Sequence, residues 1–129
     1  MGATTIWERW DGLKQDGSFQ TADMNSFNHY AYGAIGDWMY KNIAGINPIA
    51  EKPGYEEILI APKPGGKLTS ADAELETVYG LLKSSWIMSD GVFKLNVTIP
   101  PNTSATIVLP KTGKKQKLGS GNYHFEVQY

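Results

Sequence analysis

The sequence contains no cysteine in its 129 residues. That absence excludes disulfide frameworks, thiolate metal sites and cysteine nucleophiles together, and it leaves the redox compartment open. Histidine is scarce too. His29 and His124 lie far apart without the spacing of a metal site, so neither a metal nor a cofactor is expected. Charge of one sign is also lacking. Twelve basic and 13 acidic side chains give a formal net charge of −1, with no field to gather phosphates or anionic lipid, and no nucleic-acid partner is expected. No apolar run approaches the roughly 18 residues of a membrane span, and the first residues lack the basic and apolar parts of a signal peptide. No membrane association is expected, and the localisation stays undetermined.

What is present describes an ordinary globular chain. Hydrophobic residues make up 41% and charged residues 19%, while 14 glycines and 7 prolines point to many turns and short strands. The length suits one medium domain, or a small domain joined to a piece of a larger one.

Residues 1–24 show no sustained periodicity, and Asp11-Gly12 and Asp16-Gly17 are turn signals. From Asn25 the pattern changes. Phe27, Tyr30, Ala31, Ala34, Ile35, Trp38 and Met39 recur at three- and four-residue steps, which predicts an amphipathic helix over 25–43. Asn25 or Ser26 is its expected N-cap and Gly45 its stop, followed by Pro48. Gly33 and Gly36 inside it suggest a close backbone neighbour. Beyond Lys52-Pro53-Gly54 the chain turns to strands, expected at 55–61, 71–78, 80–88, 92–99, 104–109 and 122–128. Ser89-Asp90-Gly91 and Pro100-Pro101-Asn102 are the expected turns, and the basic run Lys111 to Lys117 is read as a solvated hairpin tip. The fold expected is mainly β: an antiparallel β-sandwich over 51–129, preceded by a helical part over 1–50.

The residues that suggest chemistry cluster early. Glu8 stands between Trp7 and Trp10. Aromatic surface raises the pKa of a carboxylate buried against it, and indole faces are what sugar rings stack on. The plainer reading makes Glu8 a surface partner of Arg9 or Lys14, and Trp7, Trp10 and Trp38 core residues. His29 ranks second, beside Asn28 and Tyr30 on the predicted helix. Asp11 is most simply a turn residue and Asp37 a helix-surface carboxylate. Asn96-Val97-Thr98 and Asn102-Thr103-Ser104 fit the glycosylation triplet, which arises often by chance.

The segment Gly2-Ala3-Thr4-Thr5-Ile6-Trp7-Glu8-Arg9-Trp10-Asp11-Gly12, followed by Met24-Asn25-Ser26-Phe27-Asn28-His29-Tyr30-Ala31-Tyr32-Gly33-Ala34-Ile35-Gly36-Asp37-Trp38, resembles the end of the catalytic barrel of bacterial α-L-rhamnosidases, glycoside hydrolase family 78. Pro53-Gly54-Tyr55, Glu76-Thr77-Val78-Tyr79-Gly80 and Pro100-Pro101-Asn102-Thr103 through Leu109-Pro110 resemble the C-terminal β-sandwich of that family. The resemblance implies that residues 1–50 are a remnant of an (α/α)6 barrel in an inverting glycosidase that takes a rhamnoside substrate. Glu8 would be the general base, His29 would hydrogen-bond the rhamnose ring, and Trp7 and Trp10 would shape the pocket. The family's general acid lies upstream, on barrel helices outside this sequence, so the chain alone is expected to be inactive. The alternative is a non-catalytic β-sandwich that binds carbohydrate or supports a larger enzyme. Without barrel neighbours, the apolar face of the predicted helix 25–43 is expected to drive self-association.

Overall fold

The computed structural model describes residues 2–129. Its contacts divide the chain into two compact units, the first ending at Asp37 and the second spanning Trp38–Tyr129. The division falls inside a helix made of three successive pieces: a 3-10 turn at Tyr30–Gly33, an α-helical turn at Ala34–Trp38 and a π-helical turn at Met39–Ala44.

The helix therefore starts five residues later than the periodicity predicts. His29 is its N-cap, without a side-chain capping bond, and Asn25 and Ser26 precede it. The cause is a competing partner. The carbonyls of Ser26 and Phe27 accept hydrogen bonds from the Glu8 amide, at 2.9 Å, and the Thr5 hydroxyl, so this stretch is engaged as a pairing strand. Phe27 consequently leaves the expected helix face. Gly33 and Gly36 do not mark a close approach either, since a Cβ at either position would meet nothing within 4 Å. Of the expected face, Ile35 (60%), Trp38 (52%) and Met39 (48%) stand exposed.

The second unit is a β-sandwich. One sheet has the order β1-β2-β6-β7, from β1 (Ile46–Pro48), β2 (Glu57–Ile60), β6 (Ser104–Val108) and β7 (Lys115–Leu118). The other has the order β3-β4-β5-β8, from β3 (Ser70–Thr77), β4 (Gly80–Ser89), β5 (Val92–Ile99) and β8 (Gly121–Gln128). All pairs are antiparallel except β2 with β6, which run parallel because the connection between them traverses three strands of the other sheet. Alternation decides which faces meet. Phe93, Leu95, Val97 and Ile99 of β5 are buried, as are Leu82, Ser84 and Trp86 of β4, and they face Ile46, Ile58, Ile60, Ala105 and Ile107 of the opposite sheet. Asp90 and Gly91 form a two-residue hairpin loop between the paired residues Ser89 and Val92, both with positive φ (50° and 73°), the type that matches strand twist.

Two strands depart from the expectation. β1 is three residues long and ends in Pro48. β7 begins at Lys115, within the basic run expected as a hairpin tip, so that tip is confined to the residues before it. Both are edge strands, where proline and lysine discourage pairing with another chain, and neither shows hydrophobic alternation.

The helix end is tied to the sandwich carbonyl by carbonyl. The Asn47 side chain donates to Lys41 O (3.0 Å), the Lys63 amide to Asn42 O (2.9 Å), the Trp86 indole to Ile43 O (2.8 Å), the Ser84 hydroxyl to Ala44 O (2.7 Å) and the Ala61 amide to Gly45 O (2.9 Å). These are the acceptors that a helix terminus leaves without intrahelical partners. Gly45 closes the helix in the left-handed conformation (φ 81°), and its amide donates to Tyr40 O. A Cβ there would lie 2.2 Å from the Pro62 nitrogen.

Gly45→Ala should therefore destabilise the chain by at least about 1–3 kcal/mol from backbone conformation alone, with the clash added, as read from urea denaturation. On the outer face of β5 and β8, His124 and Lys94 reach the Glu126 carboxylate at 3.1 and 3.2 Å, and their hydrogen bonds hold its pKa below the ordinary 4.5. A carboxyl depressed on folding contributes stability above its unfolded pKa and loses it as pH falls through the folded value. Chemical denaturation midpoints between pH 5 and 3 should fall less steeply in Glu126→Gln than in the native chain, by a small margin because the groups are exposed.

Candidate functional site

The site residues lie in the first unit, which is built on two paired segments of irregular backbone. The Glu8 amide donates to Ser26 O at 2.9 Å and the His29 amide to Ile6 O at 2.8 Å, so residues 5–8 run beside 26–29. Arg9 reinforces the pairing by donating to Met24 O at 2.6 Å. Phe27 is the local core. Trp7 meets it edge-on at 4.9 Å between ring centroids, and Phe19 lies 5.9 Å away.

The segment between these strands is a chain of turns. Gly12 donates to Arg9 O at 3.3 Å, closing a turn over Trp10-Asp11, and a Cβ on buried Gly12 would approach the Phe27 ring to 3.2 Å. Leu13 and Phe19 then pair across a small loop. The Ser18 hydroxyl and amide donate to Asp16 at 2.7 and 2.9 Å and hold its carboxyl below the usual range. The Asp11-Gly12 and Asp16-Gly17 turn signals thus correspond to real turns.

A cavity of about 750 Å³ opens beside the first strand, lined by Gly2, Ala3, Thr5, Ile6, Trp7, Glu8, Trp10 and Tyr32. It gathers three of the four residues singled out from sequence. Glu8 is half-buried, Trp7 is half-buried against Phe27, and Trp10 is 95% exposed with its indole free to receive a ligand face. His29, the fourth, does not line this cavity but packs on a residue that does: its ring centroid lies 5.2 Å from that of Tyr32, at 64°. Tyr32 also donates its hydroxyl to the Glu8 carbonyl oxygen at 3.3 Å. Asp11 and Asp37 line none of it. Among the described residues no group of three or more His, Asp or Glu is placed to hold a metal ion.

Sequence reasoning passed over Tyr32. Its place is fixed by a 3-10 turn that begins directly after His29 and returns the chain to that residue's side.

Residues 45–124 match the family model described as the bacterial alpha-L-rhamnosidase C-terminal domain, and residues 1–43 match the bacterial alpha-L-rhamnosidase 6 hairpin glycosidase domain. The chain belongs to the bacterial α-L-rhamnosidase family. It is 50% identical over 109 residues to an alpha-L-rhamnosidase of Streptomyces avermitilis, covering 84% of this chain and 10% of that protein. It is 49% identical over 125 residues to one from Formosa agariphila, covering 97% of this chain and 13% of that protein. Its fold is similar to the crystal structure of the Streptomyces avermitilis alpha-L-rhamnosidase complexed with L-rhamnose, with a TM-score of 0.81, 42% identity, and coverage of 98% of this chain and 14% of that one. The chain therefore spans about a tenth to a seventh of the rhamnosidases it matches. It is a mainly β segment, a sandwich preceded by one helix, shared with glycoside hydrolases.

The aromatic packing of the first unit has a direct consequence. Phe27→Ala should raise hydrogen-exchange rates at the Glu8 and His29 amides by roughly tenfold or more while leaving the amides of β4 and β5 unchanged.

Proposed function

We propose that this chain is the C-terminal part of an inverting α-L-rhamnosidase that hydrolyses terminal α-L-rhamnosides, with Glu8 as its general base. The observation that carries this reading is a cavity whose lining brings Glu8 together with Trp7 and Trp10. Likeness to a rhamnosidase complexed with L-rhamnose supports the substrate class. In this role Glu8 takes a proton from water as the oxygen attacks the anomeric carbon, on the face opposite the leaving group. His29 hydrogen-bonds the sugar ring, and Trp7 and Trp10 supply apolar walls.

Inversion requires a second carboxyl group, roughly 6.5–9.5 Å from the base, to protonate the departing oxygen. The family resemblance assigns that acid to barrel helices upstream of this sequence. Residues 1–43 are accordingly the end of the catalytic barrel, and the sandwich, which begins with β1 at Ile46 rather than at the expected residue 51, is its support. The isolated chain binds no substrate productively. Its uncovered helix residues Ile35, Trp38 and Met39 favour self-association with a second copy.

Two measurements test this. The 129-residue chain should not hydrolyse an aryl α-L-rhamnoside, and turnover abolished by Glu8→Gln would refute the half-site reading. In the full-length enzyme Glu8→Gln should lower kcat by a factor of 10² or more, roughly the contribution of general base catalysis, with KM little changed. Native turnover in that variant would remove Glu8 from the role.

A further inference from the structure

We infer that Tyr32 is a positioning residue, one side chain that holds both the base and the sugar-binding histidine in register; this rests on the roles proposed above for Glu8 and His29. Three observations converge on it. Its hydroxyl donates to the Glu8 carbonyl oxygen at 3.3 Å, its ring lies against that of His29 at 5.2 Å, and it lines the same cavity as Glu8.

The local backbone explains how one residue reaches both. The Tyr32 amide bonds back to His29 O at 3.4 Å, closing a 3-10 turn that brings residue 32 back beside residue 29. His29 caps that turn in extended conformation (ψ 100°), with its amide held by Ile6 O, so the turn and the pairing together set the edge-on contact of the two rings.

At Glu8 the hydroxyl completes a clamp. The Glu8 amide is already fixed to Ser26 O, so a bond to its carbonyl holds the peptide groups on both sides of its Cα. With both held, the Cα–Cβ direction is set, and with it the region the carboxylate can sweep. A base that activates water loses rate when misplaced by about 1 Å, so fixing the backbone that carries it bears on turnover. The hydroxyl and the ring thus act separately: the hydroxyl on the base, and so on turnover, and the ring on His29, and so on substrate affinity.

The test compares Tyr32→Phe and Tyr32→Ala in the full-length enzyme on an aryl α-L-rhamnoside, with Glu8→Gln as the reference. Tyr32→Phe, which keeps the ring, should lower kcat roughly three- to tenfold, the range one hydrogen bond spans, and leave KM within about twofold. Tyr32→Ala should show the same fall in kcat and in addition raise KM roughly fivefold or more, so that phenylalanine rescues KM but not kcat. Wild-type kcat in Tyr32→Phe, or identical KM in the two variants, overturns the positioning role. If Tyr32→Ala does not fold, Tyr32→Phe alone decides through kcat. If Glu8→Gln is inactive while Tyr32→Phe is normal, only the role of Tyr32 is lost; if Glu8→Gln is fully active, the base assignment falls and this inference with it.

Discussion

Five consecutive backbone carbonyls, from Lys41 to Gly45, find donors in the sandwich, and the rest of the second unit is arranged to supply them. Two of the donors, Ser84 and Trp86, project from a strand whose inward face is otherwise apolar. Ser84 is fully buried, and its hydroxyl is tolerated there because Ala44 O accepts its proton; either group left alone would pay its desolvation penalty in full. Trp86 solves the same problem with a larger body, filling the core with its rings while its N–H reaches Ile43 O. The requirement runs in both directions. A helix ending against a sheet needs donors from that sheet, and a buried serine and indole N–H need acceptors. Gly45 allows the approach because its hydrogen faces the Ala61-Pro62 backbone where no methyl group fits.

The first unit is held by a different economy. Its described residues include few buried side chains and little helix beyond a 3-10 turn and the α-helical turn that follows it, so its order comes from backbone pairing between residues 5–8 and 26–29 and from one cluster of rings around Phe27. The pairing brings two distant stretches together and at the same time consumes the carbonyls that would have begun the helix at Asn25. A late 3-10 start follows, with His29 as its extended cap and the ring of Tyr32 edge-on to that of His29. Local backbone competition, rather than side-chain preference, thus sets the geometry of the candidate site.

The sandwich was legible where a strand carried its own pattern. β5 alternates Phe93, Leu95, Val97 and Ile99 with polar residues because one face is core and the other is solvent, and Asp90-Gly91 announces its turn by the residues that a positive φ demands. β1 and β7 were not legible, since a proline-ended tripeptide and a lysine-rich edge become strands only through the neighbour that pairs with them. At the site, Glu8 and the two tryptophans stand out because they adjoin in sequence. Tyr32 does not. Its partners are 24 and 3 residues away, and the second contact forms at a 3-10 turn where the periodicity predicts the interior of a helix. The resemblance to rhamnosidases added roles to these residues, while the turn geometry that relates them came only from the fold.

Exposure separates the two halves of the chain more sharply than secondary structure does. Among the described residues, Ile6, Trp10, Phe19, Met24, Tyr30, Tyr32, Ile35, Trp38, Met39 and Tyr40 are large, apolar and exposed within the first 40 positions, against Leu68, Val78, Ile87 and Tyr129 in all that follows. Scattered apolar residues on a surface need no explanation, as on the sandwich, but ten within 40 positions is a far higher density than the four that follow. All ten lie within residues 1–43, the stretch that matches the bacterial alpha-L-rhamnosidase 6 hairpin glycosidase domain. Ile35, Trp38 and Met39 lie on the helix, whereas Trp10 and Tyr32 line a cavity together with Glu8. Both sets come from the first 40 positions, where the helix begins one residue after His29.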